Sequence, residues 1–194
     1  MALNENALIT WELAENMLHL LTEDQETVEF LINGASQQAE RIAGRPLAYR
    51  TVDTYMPGSG TEMLFLPLFP VYQIADLRVD PARVFGGDTV VTDYDLDADA
   101  GIVYLFDSVF PGSRKTVKVQ YSGGYSRSPS GNEPEVPTDL QSAILEVVKW
   151  NFGRFQGQKF GIKGENADGI SISYEITVPL NARQIIEGYR CHRL

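Results

Sequence analysis

From residue 10 to residue 46 the apolar positions fall at helical spacing. Thr10 has the side chain of an N-cap. Behind it Glu12 sits in a first turn, and Trp11, Leu13, Met17, Leu18, Leu20 and Leu21 supply apolar surface. This predicts a short helix ending near Leu21. In the next segment Val28, Leu31, Ile32, Ala35, Ala39 and Ile42 recur mostly three or four positions apart, giving one apolar stripe. Glu26, Glu29 and Gln37 lie off that stripe, and Gly44-Arg45-Pro46 is a stop. The alanines admit close approach by another helix, so the two helices are expected to pair.

Beyond Leu47 the period changes. Short runs such as Val52 to Tyr55, Leu64 to Leu66, Val71 to Val79, Val90 to Tyr94, Ile102 to Leu105 and Val117 to Tyr121 are rich in β-branched and aromatic residues. Pro57-Gly58-Ser59-Gly60, Gly86-Gly87-Asp88, Ala100-Gly101, Pro111-Gly112-Ser113 and Gly123-Gly124 punctuate them. The cleanest strand is expected over 115–121, with Val117, Val119 and Tyr121 on one face and Lys118 and Gln120 on the other. Pro67 and Pro70 bracket a segment unfit for a central strand, so a bend or edge is expected there.

A polar loop over 127–136 leads to Pro137 and Thr138 or Asp139 at the start of a third helix. Leu140, Ala143, Ile144, Val147, Val148 and Trp150 give it an apolar face that Phe152 and Phe155 extend. Gly153, Gly157, Gly161, Gly164 and Gly169 then make regular structure costly, which predicts a mobile or conformationally special loop. Ile170, Ile172 and Tyr174 alternate with polar residues as in a strand, and Ala182 to about Tyr189 reads as a last short helix. The fold class expected is α+β, a small helical bundle with an inserted antiparallel β meander. It is organised as one domain over 1–194: helical core at about 8–46 and 137–155, β-rich insert at about 47–125, glycine-rich loop at about 153–169, and a C-terminal strand and helix at about 170–190.

Charge changes this picture most. The net charge of −10 weighs against a protein that coats nucleic acid, because backbone binding needs Lys and Arg to neutralise phosphates. The charge is also uneven. Residues 1–49 hold eight acidic and two basic side chains, whereas residues 149–163 hold Lys149, Arg154, Lys159 and Lys163 and no acid. Such polarity suits a protein that presents opposite faces to neighbouring copies of itself. The apolar runs are too short to span a bilayer, so no membrane association is expected. The opening residues do not read as a signal peptide, and a reducing interior is the expected location.

Candidate chemistry is sparse. Asp93, Asp95, Asp97 and Asp99 alternate as in a calcium-binding loop, but the positions that require glycine and a bidentate acid hold Ala98 and Tyr104. The expectation is a strand with Tyr94 and Leu96 inward and a solvated acidic face. His19 and His192 stand near opposite ends of the chain, and Cys191 is the only cysteine, so no zinc set is spaced in the sequence. Gly161-Ile162-Lys163-Gly164 lacks the spacing and ending of a phosphate loop. No catalytic, cofactor or metal residue is expected. The remaining candidate is the basic, aromatic and glycine-rich stretch carrying Arg154, Phe155, Lys159, Phe160 and Lys163, whose composition suits a contact loop toward a protein partner, with a plain solvent loop and a single-strand nucleic-acid surface as the other readings.

The order of several short segments resembles a known family. A helix opens at Leu8-Ile9-Thr10, and another closes in Ala39-Glu40-Arg41-Ile42-Ala43-Gly44-Arg45-Pro46-Leu47. Leu66-Pro67-Leu68-Phe69-Pro70-Val71 follows, then a strand ending in Val119-Gln120-Tyr121-Ser122-Gly123-Gly124-Tyr125. Val136-Pro137-Thr138-Asp139-Leu140 opens the next helix. Over roughly residues 8–155 this succession is similar to the head–tail connector (adaptor) proteins of tailed bacteriophages and their prophage-encoded relatives. The resemblance implies a non-enzymatic virion protein of DNA packaging and virus assembly, made in the bacterial host cytoplasm and built into the virion neck. There it would form a homo-oligomeric ring beneath the portal protein, extend the DNA channel without sequence-specific binding, and dock a stopper or tail completion protein. Two readings from other classes stand beside it: a small metal-dependent enzyme using Asp93 to Asp99, and a monomeric accessory binding protein. Mass measurement with metal analysis separates the connector, a large oligomer without metal, from the enzyme, a monomer that retains stoichiometric divalent metal.

Overall fold

The computed structural model describes residues 2–157, 164–167, 170–173 and 178–190. The chain forms two compact units, one built from Met1–Arg45 and Val136–Leu194, the other from Pro46–Glu135. The fold is α+β, with helices in the first unit and an antiparallel β insert forming the second.

The helical unit contains α1 (Trp11–Leu18), α2 (Gln25–Ala43), α3 (Thr138–Gln156) and α4 (Leu180–Glu187), with the β7 (Gly164–Ala167)–β8 (Ile170–Ser173) hairpin between the last two. Thr10 caps α1 as expected, its Oγ1 accepting from the Leu13 N–H at 3.2 Å. The helix ends earlier than expected, at Leu18, because His19 turns left-handed at φ 52° and closes the last turn on Glu15 O. Leu21 is left exposed and leads into a 3₁₀ turn over Thr22–Asp24. The α2 stripe is present: Val28, Ile32, Ala35 and Ala39 are buried, and Gly44 at φ 66° closes the helix. Burying Val28 and Ile32 contributes about 1.5–3 kcal/mol each. Helix α2 packs on α3 and α4, and it also touches α1 and the 3₁₀ turn that precedes it.

Two arginines fasten α4 to α2: Arg45 Nε donates to Tyr189 O at 2.7 Å, and Arg190 Nε donates to Ile42 O at 2.9 Å. Asn181 reaches Glu146 of α3 at 3.0 Å. The helix α4 starts at Leu180, two residues before the expected position, with Pro179 supplying the fixed φ of its cap.

In the other unit β1 (Arg50–Met56) and β3 (Val71–Val79) flank β6 (Val117–Gly123), all antiparallel, while β2 (Met63–Phe65) and β4 (Tyr94–Asp97) flank β5 (Ile102–Leu105). Both sheets contribute to one core of Leu64, Val103 and Leu105 with Leu77, Val117, Val119 and Tyr121. The inward and outward positions of β6 follow the sequence pattern. The strand begins two residues later than expected, because Lys115 is left-handed at φ 57°. Pro67 to Pro70 forms the expected bend, which carries the chain from β2 in one sheet to β3 in the other while burying Leu66 and Leu68. The Tyr121 hydroxyl sits beneath this bend and accepts from Leu68 N at 3.2 Å, and its burial raises the phenol's pKa above the ordinary value.

Candidate interface surfaces

The end of α3 carries the described part of the predicted contact stretch. One helical turn separates Trp150 from Arg154, and the guanidinium lies over the indole with its carbon 4.6 Å from the ring centroid. Phe155 does not extend the buried face of α3 as expected but is 50% exposed: it falls at helical spacing from Ile144 and Val148, yet it stands in the last turn, beyond Val148, where the buried residues of the helix end. Lys159, Phe160 and Lys163 lie outside the described residues.

The four aspartates are placed as the alternation predicts. Asp93, Asp95, Asp97 and Asp99 are exposed, while Tyr94 and Leu96 pack against the core. Two of the carboxylates serve the local backbone: Asp95 Oδ1 accepts from Leu96 N, and Asp97 Oδ1 accepts from Ala100 N at 3.0 Å. Among the described residues no three His, Cys, Asp or Glu side chains are grouped to hold a metal ion. His19 is exposed at the end of α1, whereas Cys191, His192 and residues 161–163 of the glycine-rich segment lie outside the described residues. A groove of about 300 Å³ runs between the N-terminal segment and α2, lined by Asn4, Asn6, Phe30, Asn33, Gln37 and Glu40. Asn33 spends both ends of its amide on the N-terminal segment, and Glu40 is the only titratable side chain of the lining, too little for acid–base chemistry.

A better-built surface lies in the β unit and was not singled out in the sequence. After β3 the chain turns at Asp80, which is only 7% exposed. Its Oδ1 accepts from Ala82 N at 2.7 Å, and its Oδ2 accepts from Val84 N at 2.6 Å and Phe85 N at 2.8 Å. The Phe85 N–H is the largest influence holding this carboxyl below its ordinary value; burial opposes it, and the N–H groups of Ala82 and Val84 add to the lowering. Arg83 and Phe85 take left-handed φ values of 64° and 55°, which a non-glycine chain adopts only where its surroundings enforce it. Arg78 ties the loop down, giving Nε to Asp76 at 2.7 Å and Nη1 to Phe85 O at 2.9 Å.

Two other loops meet this one. Asp80 N donates to Thr116 O at 2.8 Å, and Arg83 Nη2 donates to Ser113 Oγ at 3.2 Å. Gly58 N is shared between Ser113 O and Thr116 Oγ1, and a Cβ on Gly58 would stand 2.0 Å from Pro111 O, so only glycine permits that approach. The rigid loop cluster leaves Val84 80% exposed, with Arg83, Arg114 and Lys115 exposed beside it. The available sequence signal was Asp80-Pro81 followed by Gly86-Gly87, a turn-forming string.

Comparison with known proteins follows the same line. A family model described as head completion protein matches residues 7–192. Among solved structures, the chain is similar to one in the neck of an empty GTA particle computed with C6 symmetry: TM-score 0.62, 20% identity, covering 100% of this chain and 97% of that one. A chain in the virion of the native gene transfer agent (GTA) particle gives a TM-score of 0.59 at 19% identity, covering 100% and 94%. One in the neck of the native GTA particle computed with C12 symmetry gives 0.57 at 22% identity, covering 100% and 97%. No match was found among curated protein sequences.

Proposed function

The chain belongs to the head completion protein family, and from that membership we propose that it is a non-enzymatic structural subunit of the head–tail connector in a virion neck. The observation that carries this reading is the extent of the family match, 7–192, on a fold like that of neck chains from end to end. The subunits form a ring, in keeping with the C6 and C12 symmetries of the similar neck structures. One side of the ring meets the portal protein and the other a stopper or tail completion protein, with DNA passing through the channel. A net charge of −10 suits that passage: a negative wall lets a polyanion slide, whereas a basic lumen would hold its phosphates. The stretch holding Arg154, Phe155, Lys159, Phe160 and Lys163 supplies a contact toward a neighbouring subunit or the portal; the half-exposed Phe155 supports this.

Removing the gene from its phage or prophage and imaging the particles tests the proposal. DNA-filled heads that fail to join tails, rescued by the supplied chain, are the expected result. Normal tailed particles without it, or a particle reconstruction with no copy of the chain in the neck, would contradict it.

A further inference from the structure

We propose that the loop cluster around Val84, Arg83, Arg114 and Lys115 is the docking tip of one subunit, and that it seats on the acidic α1 region of a second copy of this chain. The inference rests on the connector reading and names the surfaces through which copies would join.

Three observations meet here. First, the tip is rigid before any partner arrives. Asp80 fixes the loop with three backbone N–H bonds, Arg78 and Arg83 brace it, and two non-glycine residues are held left-handed. That apparatus holds Val84 80% exposed, so it does not serve to bury the apolar side chain it presents. Preorganisation of this kind lowers the ordering cost of association.

Second, the tip is basic in an acidic chain. Arg83, Arg114 and Lys115 belong to 16 Lys and Arg set against 26 Asp and Glu. Among the described residues Arg114 and Lys115 form no ion pair, and the Asp80 carboxylate in the adjoining loop is already occupied by backbone donors.

Third, the same chain carries the complement. The segment from α1 through the 3₁₀ turn exposes Met17 at 62% and Leu21 at 61%, and it carries the exposed acids Glu12 and Glu23. Exposed apolar side chains in a segment whose charge is opposite to that of the tip are what a specific interface uses. Because tip and seat are different surfaces, the contact is head-to-tail, the kind that closes into a ring when its rotation allows.

Sedimentation velocity on the purified full-length chain over a wide concentration range tests this, together with disulfide trapping in a Cys191→Ser background. Reversing the tip with Arg114→Glu and Lys115→Glu is expected to weaken self-association by about tenfold or more. Glu12→Lys with Glu23→Lys does the same, and combining the four changes restores it. A Val84→Cys chain mixed with a Leu21→Cys chain should give the mixed disulfide in preference to either homodimer. Val84→Asp should abolish association while leaving thermal unfolding in place, which separates a lost contact from a lost fold. Self-association indifferent to these reversals, or absence of the mixed disulfide, overturns the contact. A wild-type chain that stays monomeric at every concentration also overturns it. Such a chain, if still found in the necks of assembled particles, would leave the connector reading standing.

Discussion

Leu8 donates its backbone N–H to Ser36 Oγ at 3.0 Å, and both residues are buried. The bond ties the segment before α1 to the middle of α2 and satisfies a polar group that the apolar surroundings would otherwise leave unpaired. Ser36→Ala removes the acceptor and keeps the volume nearly constant. We expect a loss of about 1–3 kcal/mol, the cost of a buried unsatisfied donor, measured by urea denaturation. A variant within experimental error of wild type would show that the N-terminal segment finds another acceptor.

Ala35 is 2% exposed on the face by which α2 meets its neighbours. Ala35→Leu places three further carbons in a filled space and is expected to cost about 1–3 kcal/mol. Chemical denaturation checks this, and an unchanged midpoint would mean the helices can part to accept the larger side chain.

These two positions also show what sequence could and could not reveal. The α2 stripe was legible because period and burial coincide over five turns, down to the alanines. The aspartate alternation was legible for the same reason at a period of two, since Tyr94 and Leu96 anchor one face. The pairing of β1 and β3 on either side of β6 was not, because strand order depends on contacts between segments distant along the chain. The Asp80 loop escaped because its three bonds depend on left-handed residues, Arg83 and Phe85, whose side chains give no sign of that conformation. Likewise the early end of α1 turns on His19 adopting a φ of 52°, while Leu20 and Leu21 continue the apolar pattern past it.

Gly58 should be intolerant of any side chain. A Cβ there would fall 2.0 Å from Pro111 O and 3.0 Å from the Phe110 carbonyl carbon, both backbone atoms with no rotamer to change. Gly58→Ala must therefore move one loop against the other, straining the bonds of Gly58 N to Ser113 O and Thr116 Oγ1. The expected loss is about 1–3 kcal/mol, read from the thermal midpoint. Gly87→Ala, a glycine with nothing near its Cβ position, provides the comparison and should be close to neutral.

Asp80 gives the acid limb of the stability profile a specific contributor. Its folded carboxyl is held below the unfolded value, first by the Phe85 N–H and then by those of Ala82 and Val84. The carboxylate's contribution is therefore full above the unfolded pKa and is lost as pH falls through the folded one. Asp80→Asn keeps the shape and removes the charge. Its deficit relative to wild type should be constant at neutral pH and shrink as acid protonates the wild-type carboxyl. Denaturation curves collected from pH 7 downward check this, and a deficit independent of pH would show that the ionised carboxylate contributes nothing beyond its shape.

The end of α3 provides the test of the connector stretch that depends least on folding. Phe155 is 50% exposed, whereas Val147 and Val148, two turns earlier on the same helix, are buried at 2% and 0%. An aromatic ring left half in water at a helix end, one residue after the Arg154–Trp150 stack, offers apolar area that a partner can cover. In the sequence it is followed by the companions of the predicted contact, Lys159, Phe160 and Lys163. Phe155→Asp puts a charge where a partner would need apolar area, at a position already half exposed in the isolated chain. Its thermal unfolding should change by no more than about 1 kcal/mol, the centre of the range for single substitutions. Its incorporation into particles should fall sharply, because desolvating an unpaired carboxylate in an interface costs several kcal/mol repeated at each subunit contact. Quantifying the chain in purified particles beside wild type gives the readout, with Phe155→Leu expected to restore incorporation by returning the apolar area. If Phe155→Asp enters particles at the wild-type level, the end of α3 faces solvent in the neck and the contact lies elsewhere on the subunit.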